Sequence, residues 1–225
     1  MNQLLETPLF GLLLSILGFT IGHFVYQKTK FPLFMPLIVG VVFVITVLLV
    51  FDIPLATYEQ GGDIISFFLL PATASLGLTI YRVWPVLKQN WLPALVGSIA
   101  GVLTSTGTTL LFCKMFNVSE LVTQSLFAKQ VTTLIAIELA VHRGGDAVLV
   151  TFAVCIVGIF GSIAGPFLIK IFKIKDPIAQ GVALGTISHG LGTARALTLG
   201  EVQGAMSAVA MSICAFITVL VSMIY

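Results

Sequence analysis

The chain has 225 residues, of which 58% are hydrophobic and only 9% are charged. A soluble domain usually carries about 25% charged residues, so this composition excludes an ordinary water-soluble enzyme, a disordered chain and a secreted disulfide scaffold. The net charge of +2 is too small to indicate a nucleic-acid-binding surface. We therefore expect an all-α, polytopic helical membrane protein, with residues 1–225 forming a single integral membrane domain.

The cysteines and the N-terminus add two exclusions. Cys113, Cys155 and Cys214 lie in apolar runs and show no CxxC spacing, so we expect packing residues rather than a disulfide framework, a metal site or a bound cofactor. The first ten residues contain Glu6 and no basic residue. We therefore interpret the first apolar run as a retained span and not as a cleaved signal peptide.

Five apolar runs reach the roughly 20 residues that a bilayer crossing needs. In chain order they are Pro8 to Tyr26, Phe31 to Phe51, Trp91 to Cys113, Ala147 to Phe172 and Gly204 to Tyr225. Four glycine pairs have GxxxG spacing, which we interpret as positions of close helix packing. These pairs are Gly18/Gly22, Gly97/Gly101, Gly161/Gly165 and Gly181/Gly185.

Three further segments are long enough to cross but are interrupted. They are Ile64 to Tyr81 with Pro71, Thr123 to Val141 with Lys129 and Glu138, and Pro177 to Leu199 with four glycines, His189 and Arg195. Irregular backbone at membrane depth is tolerated only where it is buried in protein or lines a watery cavity. The breaks therefore predict a pathway for a substrate through the membrane. We expect six to eight crossings in total, including broken or re-entrant segments.

The distribution of basic residues predicts that Thr123 to Val141 dips into the membrane and returns. A full crossing would divide Lys and Arg almost equally between the two sides, whereas a re-entrant segment concentrates them on one side. The basic residues expected on the cytoplasmic side are then Lys28, Lys30, Arg82, Lys88, Lys170, Lys173 and Lys175, against Lys114 and Arg143 outside.

A faint internal repeat accompanies these breaks. A span, a broken segment and another span occur at 31–51, 64–81 and 91–113, and again at 147–172, 177–199 and 204–225. Transporters commonly build a substrate site near the bilayer midplane from broken helices in two related halves.

Arg195 is the sharpest candidate for contact with an anion. It lies in an apolar, glycine-rich run, and a guanidinium group matches the geometry of a carboxylate. Thr193 offers a hydroxyl, and a helix start beside Gly190 and Gly192 would add backbone N–H donors. The structural alternative is an ion pair with Glu201, or an arginine that reaches the lipid headgroups.

His189 is a candidate carrier of a coupled proton, because a histidine exchanges protons near neutral pH. A histidine held by a backbone carbonyl is the structural alternative. Glu138 is a second candidate proton carrier, while Thr132 and Thr133 offer hydroxyls that either line a site or serve packing. No metal spacing, GxSxG elbow or complete GxGxxG motif is present, so we expect no enzyme and no metal site.

Four segments together resemble the LrgB/CidB family. They are LLPATASLGLTIY at 69–81, KQVTTLIAIEL at 129–139, GTISHGLGTARAL at 185–197 and GAMSAVAM from Gly204. The chain departs from the family pattern in two places. Ala128, Lys129 and Gln130 stand where Pro-Lys-Ser is usual, and Leu134 stands where a proline is common. The lost proline weakens the expectation of a sharp break in this segment.

The resemblance implies two functions. One is a holin/antiholin-like regulator of murein hydrolase activity, autolysis and programmed cell death, acting with an LrgA/CidA-type membrane partner. The other is a transporter of small monocarboxylates such as pyruvate, with plant relatives that move glycolate and glycerate in plastids. Because Arg195 and His189 lie in a broken segment, we favour a carrier of a small organic anion, and His189 or Glu138 would provide proton coupling. We expect a homo-oligomer in the bilayer of the bacterial plasma membrane.

Overall fold

The computed structural model describes residues 7–29, 34, 36–68, 71, 74, 78, 81–82 and 84–224. No strand occurs within these residues, and nine helices have their bounds there. They are α1 Pro8–Thr29, α2 Pro36–Val50, α3 Leu55–Phe67, α4 Trp84–Met115, α5 Glu120–Leu126, α6 Thr133–His142, α7 Ala147–Ile171, α8 Pro177–Leu197 and α9 Glu201–Ile224. By length and composition, α1, α4, α7 and α9 can cross a membrane. The predicted all-helical membrane fold is confirmed.

Residue contacts divide the chain into two compact units, Met1–Ser75 and Leu76–Tyr225. In the first unit, α1 packs against both α2 and α3. The approach of α1 to α2 depends on glycine, since a Cβ atom at Gly22 would lie 2.9 Å from the Cα atom of Pro36. The prediction of one domain over the whole chain stays a prediction.

In the second unit, α4 and α9 run in the same direction. The Arg82–Glu201 ion pair, with 3.9 Å between its charged atoms, joins the starts of the two helices. Further along, Cys214 Sγ lies 4.0 Å from the Ser98 carbonyl oxygen. We call the end of this unit that holds Arg82 and Glu201 the basic end.

Helix α7 runs the other way, so it starts at the opposite end and finishes at the basic end. Arg143, just before α7, donates a 3.1 Å hydrogen bond to the Ser222 carbonyl near the end of α9. The basic residues of this unit are therefore distributed as predicted, with Arg82, Lys88, Lys170, Lys173 and Lys175 towards the basic end and Lys114 and Arg143 at the opposite end.

The segment formed by α5 and α6, which we call hairpin 1, enters and leaves at the opposite end. It begins just after α4, and the Asp146 N–H at the start of α7 donates a 2.7 Å hydrogen bond to Ser125 Oγ in α5. Arg143 Nε donates to Gln124 Oε1 at 2.6 Å, which joins the end of α6 to α5. Residues 127–132 between the two helices are not helical. The chain therefore turns back at this break, as the re-entrant prediction requires, even though Leu134 replaces the common proline.

Helix α8 is itself a second hairpin, hairpin 2, which enters and leaves at the basic end. The helix breaks at His189, whose φ of 39° and ψ of −123° are not helical. An entering arm, 177–188, is followed by a returning arm, 190–197. A Cβ atom at Gly192 would collide with the carbonyl of Leu184. These residues would be about 12 Å apart in a continuous helix, so the chain reverses direction at the break.

Both arms of hairpin 2 lie against α9. The entering arm runs parallel to α9, with Gly181 on the backbone of Gln203 and Gly185 on the backbone of Ser207. The returning arm brings the Thr193 hydroxyl to 3.0 Å from that of Ser207. The prediction that Pro177 to Leu199 is broken is confirmed.

The four GxxxG pairs serve close packing, as predicted. Gly18 and Gly22 face α2, Gly97 and Gly101 face the entering arm of hairpin 2, and that arm also receives Gly161 and Gly165 of α7. The fourth pair, Gly181 and Gly185, contacts α9. Half of the broken segment predicted from Ile64 to Tyr81 lies outside the described residues, and the internal repeat that includes it stays a prediction.

Candidate functional site

The reversal of hairpin 2 buries polar groups at its tip. Ser188 is fully buried and His189 is 6% exposed. Within the described part of the chain, Ser188 Oγ and His189 Nε2 have no hydrogen-bond partner, whereas the His189 ring makes a backbone hydrogen bond to Val154. Because buried polar atoms are normally paired, two adjacent unpaired ones mark a place suited to a polar ligand or to water.

The backbone at this tip is strained, and hydrogen bonds of the Thr193 hydroxyl hold it in place. A non-glycine residue with φ of 39° costs on the order of 1–3 kcal/mol. The Thr193 hydroxyl lies 3.0 Å from the His189 carbonyl, to which it donates a hydrogen bond, and it also pairs with Ser207. The returning arm starts at Gly190, and the first N–H groups of a helix have no acceptor within the helix. Such a helix start attracts anions.

Glycines of α7 make room for the tip. A Cβ atom at Gly158 would lie 2.9 Å from the Cε1 atom of His189, and one at Gly161 would collide with Ser188 Oγ. The tip of hairpin 2 therefore packs closely against the middle of α7, at positions where α7 has glycine. No larger residue fits at these positions without moving the tip.

The break in hairpin 1 is held by side-chain hydrogen bonds instead. Gln130, 2% exposed, donates from Nε2 to Thr106 Oγ1 at 2.9 Å and to Thr218 Oγ1 at 3.4 Å. Lys129 Nζ donates to the hydroxyl of Thr109. These contacts tie the break to α4 and α9.

A second helix start lies directly after this break. Helix α6 begins at Thr133, and its N-cap residue, Thr132, makes no side-chain capping bond. Val154 of α7 belongs to the apolar cluster around Phe127 of hairpin 1, and its backbone also bonds His189 of hairpin 2. The two hairpins thus enter from opposite ends and reach the same turn of α7. Broken helices whose starts point at a common interior region are a recurrent way to build a transport site.

Arg195 lies on the returning arm of hairpin 2, away from its tip. Nη1 donates a 3.3 Å hydrogen bond to Thr198 Oγ1, and Nε is buried with no partner among the described residues. Glu201 pairs with Arg82, so the alternative ion pair between Glu201 and Arg195 is not formed. The guanidinium group keeps hydrogen-bonding capacity for a further acceptor.

The structure does not bring Arg195 close to Thr132 and Thr133. The arm that carries Arg195 contacts α9 at Ser207, whereas the break before Thr132 contacts α9 at Thr218. These two positions on α9 are about 16 Å apart along the helix. Thr132 and Thr133 are half-buried, and Glu138 is exposed.

The two glycines of the predicted site differ in their surroundings. Gly190 has open space where a Cβ atom would stand, whereas Gly192 is packed against Leu184. The Thr193 hydroxyl is already hydrogen-bonded to the His189 carbonyl and to the Ser207 hydroxyl. The ligand-binding and proton-coupling roles assigned to the predicted site residues stay predictions.

Sequence reasoning missed a buried polar face of α4. Ser98, Thr106, Thr109 and Cys113 are all buried, and the first three contact hairpin 1 or α9. Their spacing of three, four or eight residues places them on one side of a helix, and this regularity was the available signal.

As for metal binding, no group of three or more His, Cys, Asp or Glu side chains in the described ranges could hold an ion.

The first unit offers a contrasting cavity. Its three helices line a groove of about 670 Å³ whose walls are mainly apolar. Two of its polar side chains, Ser15 and Tyr58, hydrogen-bond each other at 2.8 Å. Such a groove offers little to an anion, so the polar, broken segments of the second unit are the better candidate site.

Comparison with known proteins identifies the family. The LrgB-like family matches residues 15–225. The antiholin-like protein LrgB of Bacillus subtilis (strain 168) is 37% identical over 216 residues, which cover 96% of this chain and 94% of that protein. No solved structure matches the chain. The chain therefore belongs to the LrgB-like family, and it is a multi-pass bacterial membrane protein.

Proposed function

We propose that the protein is a carrier of small monocarboxylates such as pyruvate or glycolate. The observation that carries this proposal is the pair of hairpins that enter from opposite ends and reach the same turn of α7. A holin-like lesion requires helices that oligomerise, and it has no need of two helix starts beside buried polar groups. A carrier needs both, because such a site must bind an anion and open to each side in turn.

In this proposal Arg195 is the carboxylate contact near the basic end, and the helix start at Gly190 and Gly192 provides backbone N–H donors nearer the tip of hairpin 2. Its unpaired Nε and its weak 3.3 Å bond to Thr198 leave capacity for a carboxylate. Thr193 positions the tip, and Thr132 with Thr133 provides hydrogen-bonding groups on hairpin 1. Transport of the anion together with a proton would avoid opposing the membrane potential, which acts on a charge with about 2.3 kcal/mol per 100 mV.

Replacing Arg195 tests the site. We expect Arg195→Ala to lower uptake of labelled pyruvate into proteoliposomes at least tenfold, because a charged hydrogen bond contributes about 1.5–3 kcal/mol. Folding should be retained, since Arg195 is only partly buried and its side chain bonds only Thr198 among the described residues. Arg82→Ala is the matched control, since its exposed ion pair is expected to contribute little. Full uptake by well-folded Arg195→Ala protein would remove Arg195 from the site.

Replacing His189 tests the proton coupling. Glutamine keeps hydrogen-bonding capacity but does not titrate, so His189→Gln should flatten the pH dependence of uptake between pH 5 and 8. Glu138→Gln is the companion variant, because Glu138 is the other proposed proton carrier. Unchanged pH dependence in His189→Gln, together with normal uptake, would assign the proton elsewhere.

A second function is favoured by the name of the relative, which supports it more directly than it supports transport. The Bacillus subtilis protein is called antiholin-like, so regulation of murein hydrolase activity, autolysis and programmed cell death with an LrgA/CidA-type partner is the alternative. Proteoliposomes with and without that partner separate the two functions. Leakage of large dyes without saturable uptake would favour the holin-like function, and saturable pyruvate uptake by the chain alone would favour the carrier.

A further inference from the structure

Lys129 is a cation at the tip of hairpin 1 with no carboxylate beside it. Its ammonium group donates to the Thr109 hydroxyl, and among the described residues the ion pair that forms is Arg82–Glu201. The carboxylates of the second unit are exposed or engaged elsewhere. Glu120 accepts from Gln124, Asp146 and Asp176 cap the starts of α7 and α8, Glu201 pairs with Arg82, and Glu138 is exposed.

The position of Lys129 along the chain makes a purely structural role unfavourable. Helix α6 starts at Thr133, four residues later, and the start of a helix carries partial positive charge. The Lys129 ammonium group adds a second positive charge near this helix start, and the surrounding unit is largely apolar, so the two charges repel each other with little screening. Both charges are compensated when an anion binds between them, and an ionisable residue at membrane depth usually has such a partner.

We propose that Lys129, Thr109 and the start of α6 bind the carboxylate group of the substrate as a second anion site, reached from the opposite end. The proposal rests on the carrier function proposed above and assigns hairpin 1 its own contact. Arg195 serves the basic end, and the two sites lie about 16 Å apart along α9, by the positions of Ser207 and Thr218. Each hairpin then holds one cation and one helix start for the same anion.

Selectivity between a carboxylate and its neutral amide tests this site directly. Purified full-length protein in proteoliposomes is assayed for uptake of labelled pyruvate, with pyruvate and pyruvamide as unlabelled competitors. We expect Lys129→Gln to raise the KM for pyruvate at least tenfold and to reduce its preference over pyruvamide by a similar factor. Lys129→Arg should keep most of that preference, and Lys170→Gln, at the exposed end of α7, should match wild type. A purely structural role would lower uptake without changing the preference.

A binding measurement separates this inference from the carrier function. Pyruvate should raise the unfolding temperature of wild-type protein in detergent and should do so less in Lys129→Gln and Thr109→Val. If wild type takes up pyruvate and Lys129→Gln has the same KM and the same preference for pyruvate over pyruvamide, the second site is overturned and the carrier function is retained. Stabilisation that depends on Lys129 without any uptake would support the site and overturn the carrier. Neither uptake nor stabilisation in wild type would overturn both. Should Lys129→Gln fail to fold, Thr109→Val and Lys129→Arg provide the same comparison.

Discussion

The two hairpins of the second unit solve one problem in different ways. Each must break a helix inside an apolar bundle and still satisfy its polar backbone. Hairpin 1 uses a break of six residues, held by Lys129 and Gln130 on hydroxyl groups of α4 and α9. Hairpin 2 reverses at the single residue His189 and is seated by glycine contacts with α7 and α9.

The difference shows where polar capacity remains. The side chain of Gln130 is satisfied within the protein, whereas Ser188 Oγ and His189 Nε2 of hairpin 2 find no partner among the described residues. Hairpin 2 should therefore be sensitive to added volume, and hairpin 1 to the loss of hydrogen bonds. The following variants test that contrast.

Added volume in hairpin 2 should have the largest effect. A Cβ atom at Gly185 would lie 2.9 Å from the Cα atom of Ser207, so α9 itself would have to move. We expect Gly185→Leu to destabilise the protein by about 3 kcal/mol or more, seen as a large drop in the unfolding temperature in detergent. Gly107→Ala is the control, because a Cβ atom there meets nothing within 4 Å. Equal stability of the two variants would refute the close packing of Gly185 in hairpin 2 against α9.

Loss of a hydrogen bond in hairpin 1 should have the next largest effect. Gln130→Leu keeps the volume but leaves the buried Thr106 hydroxyl without its 2.9 Å partner. An unsatisfied buried polar group costs about 1–3 kcal/mol, so the unfolding temperature should fall. The double variant Gln130→Leu/Thr106→Val should recover part of that loss. Additive losses in the double variant would contradict the direct bond.

The smallest effect should come from the backbone at position 189. A φ of 39° suits glycine and is strained for other residues. We therefore expect His189→Gly to be more stable than His189→Ala by about 1 kcal/mol, although both lack the imidazole ring. Chemical denaturation of the two variants side by side provides the measurement. A more stable alanine variant would mean that the helix continues through this residue.

Hydropathy predicted the long helices because a span of roughly 20 apolar residues has few alternatives. It also located the two broken segments that became hairpin 1 and hairpin 2, and the Lys and Arg distribution indicated that hairpin 1 turns back in spite of Leu134. The site of the break in hairpin 2 was less predictable. The segment has four glycines that could adopt a left-handed backbone conformation, yet His189 adopts it, since its carbonyl is held by Thr193 and its ring by α7.

The candidate site was only partly accessible from the sequence. Arg195 and His189 stood out because each is an ionisable group in an apolar run. The partners of Lys129 and Gln130 are about 20 residues or more away in the chain, so their contacts depend on tertiary packing. For the same reason, spacing alone did not reveal that Glu201 pairs with Arg82 and not with Arg195.

The central claim is that two segments enter from opposite ends and return to the end from which they came. Single cysteines in a background without Cys113, Cys155 and Cys214 test it by labelling with a membrane-impermeant maleimide in oriented vesicles. The exposed positions Ser119→Cys and His142→Cys flank hairpin 1, while Lys175→Cys and Leu199→Cys flank hairpin 2. We predict that the first two are labelled from one face and the last two from the other. Labelling of Ser119→Cys and His142→Cys from opposite faces would contradict the account.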